Sequence, residues 1–223
     1  MSVLASTSSA ATLLGPSPYL SFADSPFSGQ TFSYFYLETF ESGTLQTPGV
    51  SFTPGALILG PSSLTDSVDA DDGAIDGSGM RGHSLLSNGA GTIVFTFNAA
   101  ALGGLPTSVG IVWTDVGNAT PTLGVGPVTF QAFDAASNSL GTIGPVVLGD
   151  GNAAGGTAED RFFGVVNPGG ISSIAIGMSN SVDWEVDHLQ YGFEAESVPE
   201  PASWMLAMCG LGGFLLNRSK IRK

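Results

Sequence analysis

Thr92-Ile93-Val94-Phe95-Thr96-Phe97 and Val128-Thr129-Phe130-Gln131-Ala132-Phe133 decide the fold class of this chain. On an extended backbone successive side chains point to opposite faces, so Phe95 and Phe97 share one face, and Phe130 and Ala132 share another. Outward from these two runs, others of similar character follow: 31–40 (TFSYFYLETF), 109–114 (VGIVWT), 144–148, 161–166, 171–178 and 182–193. Clusters of Gly, Pro, Asn and Asp divide them at the spacing of a sandwich, without the long helical crossovers of βαβ units. Only Ala99–Leu102 offers a helical turn, and no internal repeat is present. The segments 61–88 and 149–158 are polar, rich in Gly or Asp, and expected as loops. The expected fold is therefore all-β: an antiparallel, jelly-roll-like β-sandwich over residues 19–194.

Composition agrees with an exported β-domain. Charged residues make up 11% of the chain, hydrophobic ones 43%, and glycines number 32 of 223, which does not suit a helical bundle. The formal net charge is −13. Only Arg81 and Arg161 are basic before residue 198, so the field repels nucleic acid and attracts cations. Nucleic-acid binding is excluded on this ground. The single cysteine, Cys209, allows no disulfide, zinc–thiolate cluster or thiol catalysis in the folded body.

Carboxylates are the candidate ligands. Asp66, Asp69, Asp71, Asp72 and Asp76 crowd one loop with glycines, a set that supplies carboxylates and carbonyls to a calcium ion. An EF-hand does not fit: from Asp69, its third ligand position falls on Gly73 and its bidentate Glu position on Met80. Glu38, Glu41 and Asp187 are expected to join Asp69, Asp71, Asp72 and Asp76 around a structural calcium. Glu185 and Asp187 share a face of an unbroken strand, and their spacing of roughly 6–7 Å also admits a glycoside hydrolase pair. Yet the apolar residues of 184–191 change face near His188, which predicts a bulge or two-sided burial. An inward Asp187 would need a partner, calcium or Arg161. His83 and His188 are expected to be structural, and no Gly-x-Ser-x-Gly elbow occurs. Tyr34, Tyr36, Trp113 and Trp184 are candidate sugar platforms, although most aromatics in a protein with 14 phenylalanines belong to the core.

The end of the chain carries a different signal. Val198-Pro199-Glu200-Pro201 precedes an uncharged run, 202–216, that includes Ala202, Trp204, Leu206, Leu211, Phe214 and Leu216; Arg218, Lys220, Arg222 and Lys223 follow. As a helix the run would reach about 22 Å against a hydrocarbon core of roughly 30 Å, short for a permanent span. The basic end should stay cytoplasmic. A polar motif, an apolar stretch and a basic end in this order resemble the PEP-CTERM sorting tail. Glu159-Asp160-Arg161-Phe162-Phe163-Gly164 and the closing strand Trp184–Gly192 resemble PEP-CTERM passenger domains, with less specific motifs.

The resemblance implies export, transient anchoring in the inner membrane and processing by an exosortase membrane protease. Delivery to the cell surface or extracellular matrix follows, with exopolysaccharide as the associated polymer. It implies a non-enzymatic structural or adhesion role, with Glu200 as recognition sequence. The alternative is a calcium-assisted carbohydrate-binding module, since many jelly-roll modules of that kind join the first strand region to the last through a structural calcium. Residues 1–18 are expected to be leader remnant and linker, and 195–223 a tail with motif 198–201, hydrophobic helix 202–216 and basic end 217–223. Ser8-Ser9-Ala10 could end a signal peptide whose true start lies upstream.

Overall fold

A computed structural model describes residues 10–62, 65–70, 82–116, 126–149, 158–178, 181 and 183–195. The whole sorting motif, the hydrophobic run, the basic end, and Asp71, Asp72 and Asp76 lie outside the described residues.

The described chain is an antiparallel two-sheet β-sandwich. Its strands are β1 (Thr12–Pro18), β2 (Phe32–Glu38), β3 (Val50–Phe52), β4 (Leu57–Leu59), β5 (Ser84–Leu86), β6 (Thr92–Phe97) and β7 (Ser108–Asp115). They continue as β8 (Val128–Phe133), β9 (Ser139–Val146), β10 (Arg161–Val166), β11 (Ser173–Met178) and β12 (Glu185–Glu194). One helical turn, α1 (Ala99–Leu102), stands where it is expected, capped by Asn98, whose side chain accepts from the Ala100 and Ala101 amides. A seven-stranded sheet runs β1-β10-β7-β12-β5-β4, with β2 also on β12, and a five-stranded sheet runs β3-β6-β11-β8-β9.

Between the sheets lies the main core, where Phe95, Phe130, Phe163, Trp113, Trp184 and Tyr191 are fully buried. Period-two alternation placed these side chains: Phe95 with Phe97 and Phe130 with Ala132 all enter it. A second, smaller cluster of Tyr19, Phe27, Val68, Val112 and Phe162 covers the outer face of the seven-stranded sheet. Every residue of β7 is buried because both of its faces are covered. Gly110 and Gly164 pair directly across β7 and β10. A Cβ built on them would come within 2.3 and 2.8 Å of the Phe162 ring. This glycine pair opens the slot in which Phe162 lies, against Tyr19 at 6.2 Å and Phe27 at 5.4 Å between ring centroids.

Two expectations are corrected. Residues 12–18, read as leader or linker, form β1 and pair with β10 from Thr12↔Val166 to Pro18↔Arg161. Leu13 packs on the main core and Leu14 on the outer cluster, an alternation too brief to stand out among small residues. The segment 61–88, read as a loop throughout, contains a 3-10 turn at Val68–Ala70 and the short strand β5. Among the described residues no helix is long and apolar enough to cross a membrane.

Candidate functional site

The site arises from a change of neighbours along β12. Its first residues, Glu185 and Val186, pair with β5, whereas Leu189 to Glu194 pair with β2. Asp187 and His188 fall in the gap. On the other side the register with β7 also shifts between Asp187 and Gln190, and His188 takes φ 46°. This is the bulge that the change of apolar face predicted. Val186, Leu189 and Tyr191 enter the core, so Asp187, His188 and Gln190 make their contacts in the outer layer. Two adjacent residues thus present polar side chains to one side.

The turn at 65–70 covers the gap. Glu185 Oε2 accepts from the Asp66 amide at 2.9 Å and from the Ser84 hydroxyl. Asp187 Oδ2 accepts from the Ser67 hydroxyl at 3.1 Å and the Val68 amide at 3.0 Å, while Oδ1 accepts from the His188 amide at 2.6 Å. These bonds satisfy both carboxylates yet do not repay the loss of water. Burial pushes Asp187 up to about 7, against the lowering influence of His188 and its own hydrogen bonds. Burial likewise pushes Glu185 up to about 7, against its bonds to Ser84 and Asp66 and with Asp115 and Asp183 adding repulsion.

Beside Asp187 the Val68–Ala70 turn brings Asp69 to His188, with Oδ1 3.2 Å from Nε2. Asp69, Asp187 and His188 offer ligand atoms that all lie within 4.8 Å of one another and form a possible metal-binding group. His188 Nδ1 meets the Tyr19 hydroxyl at 2.9 Å. Tyr19 also accepts from Gln190 Nε2 at 3.0 Å, and Gln190 Oε1 accepts from the Ser25 hydroxyl at 2.6 Å.

Of the carboxylates expected to share an ion, the structure brings Asp69 and Asp187 together. Glu41 sits one step away: its Oε1 shares the Ser67 hydroxyl with Asp187, at 3.3 Å, and accepts from the His83 amide, and its Oε2 is 3.1 Å from His83 Nδ1. Glu38 belongs elsewhere. It accepts from the amides of Phe40 and Gln46 and from the Thr47 hydroxyl, so it ties its own turn together instead of joining the group. Arg161 is not the partner of Asp187; its Nη1 donates to the Asp160 carbonyl at 2.8 Å. His188, expected to be structural, offers Nε2 or Nδ1 to this possible metal-binding group. The face change at 188 was its signal, whereas Tyr19, Ser25 and Gln190 carried none.

Glu185 and Asp187 are 3% and 0% exposed beneath the 65–70 turn, closed to a sugar chain, so the hydrolase pair finds no support in their placement. Trp113 and Trp184 are fully buried against each other, 4.7 Å between ring centroids, and offer no platform. Tyr34 is 42% exposed and lines a groove of about 500 Å³ with Ser33, Pro48, Leu102 and Phe193.

No protein-family model matches the chain, and no curated protein does. Among solved structures, a cleaved adhesin domain of Lys-gingipain is similar at 15% identity and a TM-score of 0.42, over 72% of this chain and 99% of that one.

Proposed function

We propose that the chain is a non-enzymatic surface or matrix protein exported through a PEP-CTERM-type tail. The observation that carries this reading is the order of parts in 198–223: a proline-flanked Glu200, an uncharged run and four basic residues in the last six. In this reading residues 202–216 form one hydrophobic helix that holds the protein in the inner membrane. An exosortase-type protease then cuts near Val198–Pro201, and the sandwich reaches the cell surface or the exopolysaccharide matrix. A jelly-roll-like description suits the sandwich, because β10, β11 and β12 alternate between the sheets. The burial of Glu185 and Asp187 supports a role without catalysis.

Replacing Pro199, Glu200 and Pro201 together by alanine in the full chain is expected to lower the ratio of released to membrane-held protein at least tenfold. Fractionation and blotting in an exosortase-bearing host check this. Release at the wild-type ratio would reject the tail assignment.

A second reading, carbohydrate binding, is favoured by the groove beside Tyr34. An aromatic face with a hydroxyl at its rim, next to Ser33 and Pro48, suits the mixed apolar and polar faces of a sugar ring. Tyr191 fixes the floor by donating to the Pro48 carbonyl at 3.0 Å. In this reading the cation is calcium, held by oxygens of Asp69 and Asp187, and it steadies the fold at a distance from the sugar. Tyr34→Ala should weaken retention on the host's exopolysaccharide about tenfold, a loss of roughly 1.4 kcal/mol. Equal retention of both proteins on an affinity gel would remove this reading.

A further inference from the structure

We propose that Asp69, Asp187 and His188 bind a zinc-class divalent cation, and that the Ser25–Gln190–Tyr19 chain sets whether His188 can serve as its ligand. Calcium takes six to eight oxygens, whereas imidazole nitrogen suits zinc and its first-row neighbours. The donor set here is one nitrogen and two carboxylates. Asp69 Oδ1 and His188 Nε2 lie 3.2 Å apart. Two ligands about 2.0–2.1 Å from a tetrahedral zinc are separated by roughly 3.3 Å. Asp187 adds the third donor within 4.8 Å and retains acceptor capacity on Oδ1 beyond the His188 amide. Water completes such a site. Ions reach it from the side of Asp69, whose side chain is 37% exposed, while that of His188 is 4% exposed.

The far nitrogen of the ring makes a hydrogen bond that fixes its orientation, and a metal-binding histidine must donate in that bond. The direction of that bond follows from its neighbours. Gln190 Nε2 can only donate, so the Tyr19 oxygen accepts from it and the Tyr19 proton goes to His188 Nδ1. A neutral ring then carries its proton on Nε2, facing Asp69, where it blocks a metal. Turning over the Gln190 amide reverses the chain. Nε2 of Gln190 then donates to Ser25, Oε1 accepts from Tyr19, and Tyr19 accepts from a proton on His188 Nδ1. The ring keeps one proton, now on Nδ1, and presents its Nε2 lone pair to the cation. Both directions use the same three side chains at the same positions, and the reversed one requires the Ser25 hydroxyl, which still accepts from the Phe27 amide, to turn its proton away from Gln190.

The full chain contains two histidines, so long-range ¹H–¹⁵N spectra resolve each ring. Zinc alone is titrated, with calcium as the comparison. The expected result is a change of His188 from the Nε2-protonated to the Nδ1-protonated, Nε2-ligated pattern, with His83 unmoved. Calorimetry should show zinc binding at least tenfold tighter than calcium. Asp69→Asn, at a partly exposed position, and His188→Gln should each weaken zinc at least tenfold. Tyr19→Phe, which removes the hydroxyl that relays the chain, should weaken it severalfold. Zinc affinity unchanged in both Asp69→Asn and His188→Gln, calcium preferred over zinc, or no zinc bound by the wild type would each overturn the proposal. None of these results bears on the tail, which fractionation tests separately.

Discussion

In metal-free buffer the stability of the sandwich is expected to be greatest near pH 4.5–5 and to fall steadily as pH rises to about 8. Asp187 and Glu185 ionise near 3.8 and 4.5 in an unfolded chain, but burial moves both up to about 7 in the folded one. Between those limits the folded state holds protons that the unfolded state has released. Their favourable contribution is thus complete below about pH 4 and is lost as pH rises through about 7. At about 1.4 kcal/mol per pKa unit, each group withdraws on the order of 3 kcal/mol over the window. Two such losses are a large share of the roughly 5–15 kcal/mol that holds a domain folded. Asp134 works in the opposite sense. Hydrogen bonds from Asn138 and Ala136 lower its pKa, but it is exposed and solvent screens it. Urea midpoints at pH 5, 6, 7 and 8 measure the slope, and Glu185→Gln should remove about half of it. A midpoint that stays level or climbs from pH 5 to 8 would contradict the buried-carboxylate account.

The slope also distinguishes a structural cation from an incidental one. A divalent ion that ligates Asp187 offsets the cost of its charge, so it should restore the midpoint most at pH 8, where that carboxylate is ionised, and least at pH 5.

What the sequence disclosed follows the length of each pattern. The strands β6, β8 and β10 are fully legible because several large residues alternate within each. Strands β3, β4 and β5 have three residues each, too few for a period; β3 and β5 lie on the longer β6 and β12, and β4 in turn lies on β5. The same contrast governs the site. The face change at His188 was visible because it is local to β12. That Ser67 and Val68 supply the partners of Asp187 was not, since they lie about 120 residues away in the chain. Glu38 and Glu41 read alike in sequence. Only the turn that returns Gln46 and Thr47 to Glu38 gives that residue a different task.

Asp187→Ala is expected to destabilise the metal-free protein by roughly 3–5 kcal/mol at pH 5, from the buried donors it leaves without an acceptor. Of the three donors now turned to that fully buried carboxyl, the Val68 and His188 amides lose their acceptor, while the Ser67 hydroxyl keeps Glu41 Oε1 at 3.3 Å. The cost should shrink as pH rises, because the wild type loses the Asp187 proton toward pH 8 while the variant has none to lose. A surface carboxylate would show no such trend. Asp187→Asn keeps an acceptor for the His188 amide but turns its amino group toward Val68, so its cost at pH 5 should be smaller, about 1–3 kcal/mol. Two of the three bonds tie the 65–70 turn to β12, and Glu185 holds the same turn at Asp66. Hydrogen exchange at the Val68 amide should therefore accelerate at least a hundredfold in Asp187→Ala, well before the core amides of β7 respond. Slow exchange at Val68 in that variant, with a urea midpoint near the wild-type value, would mean that the turn is held without Asp187.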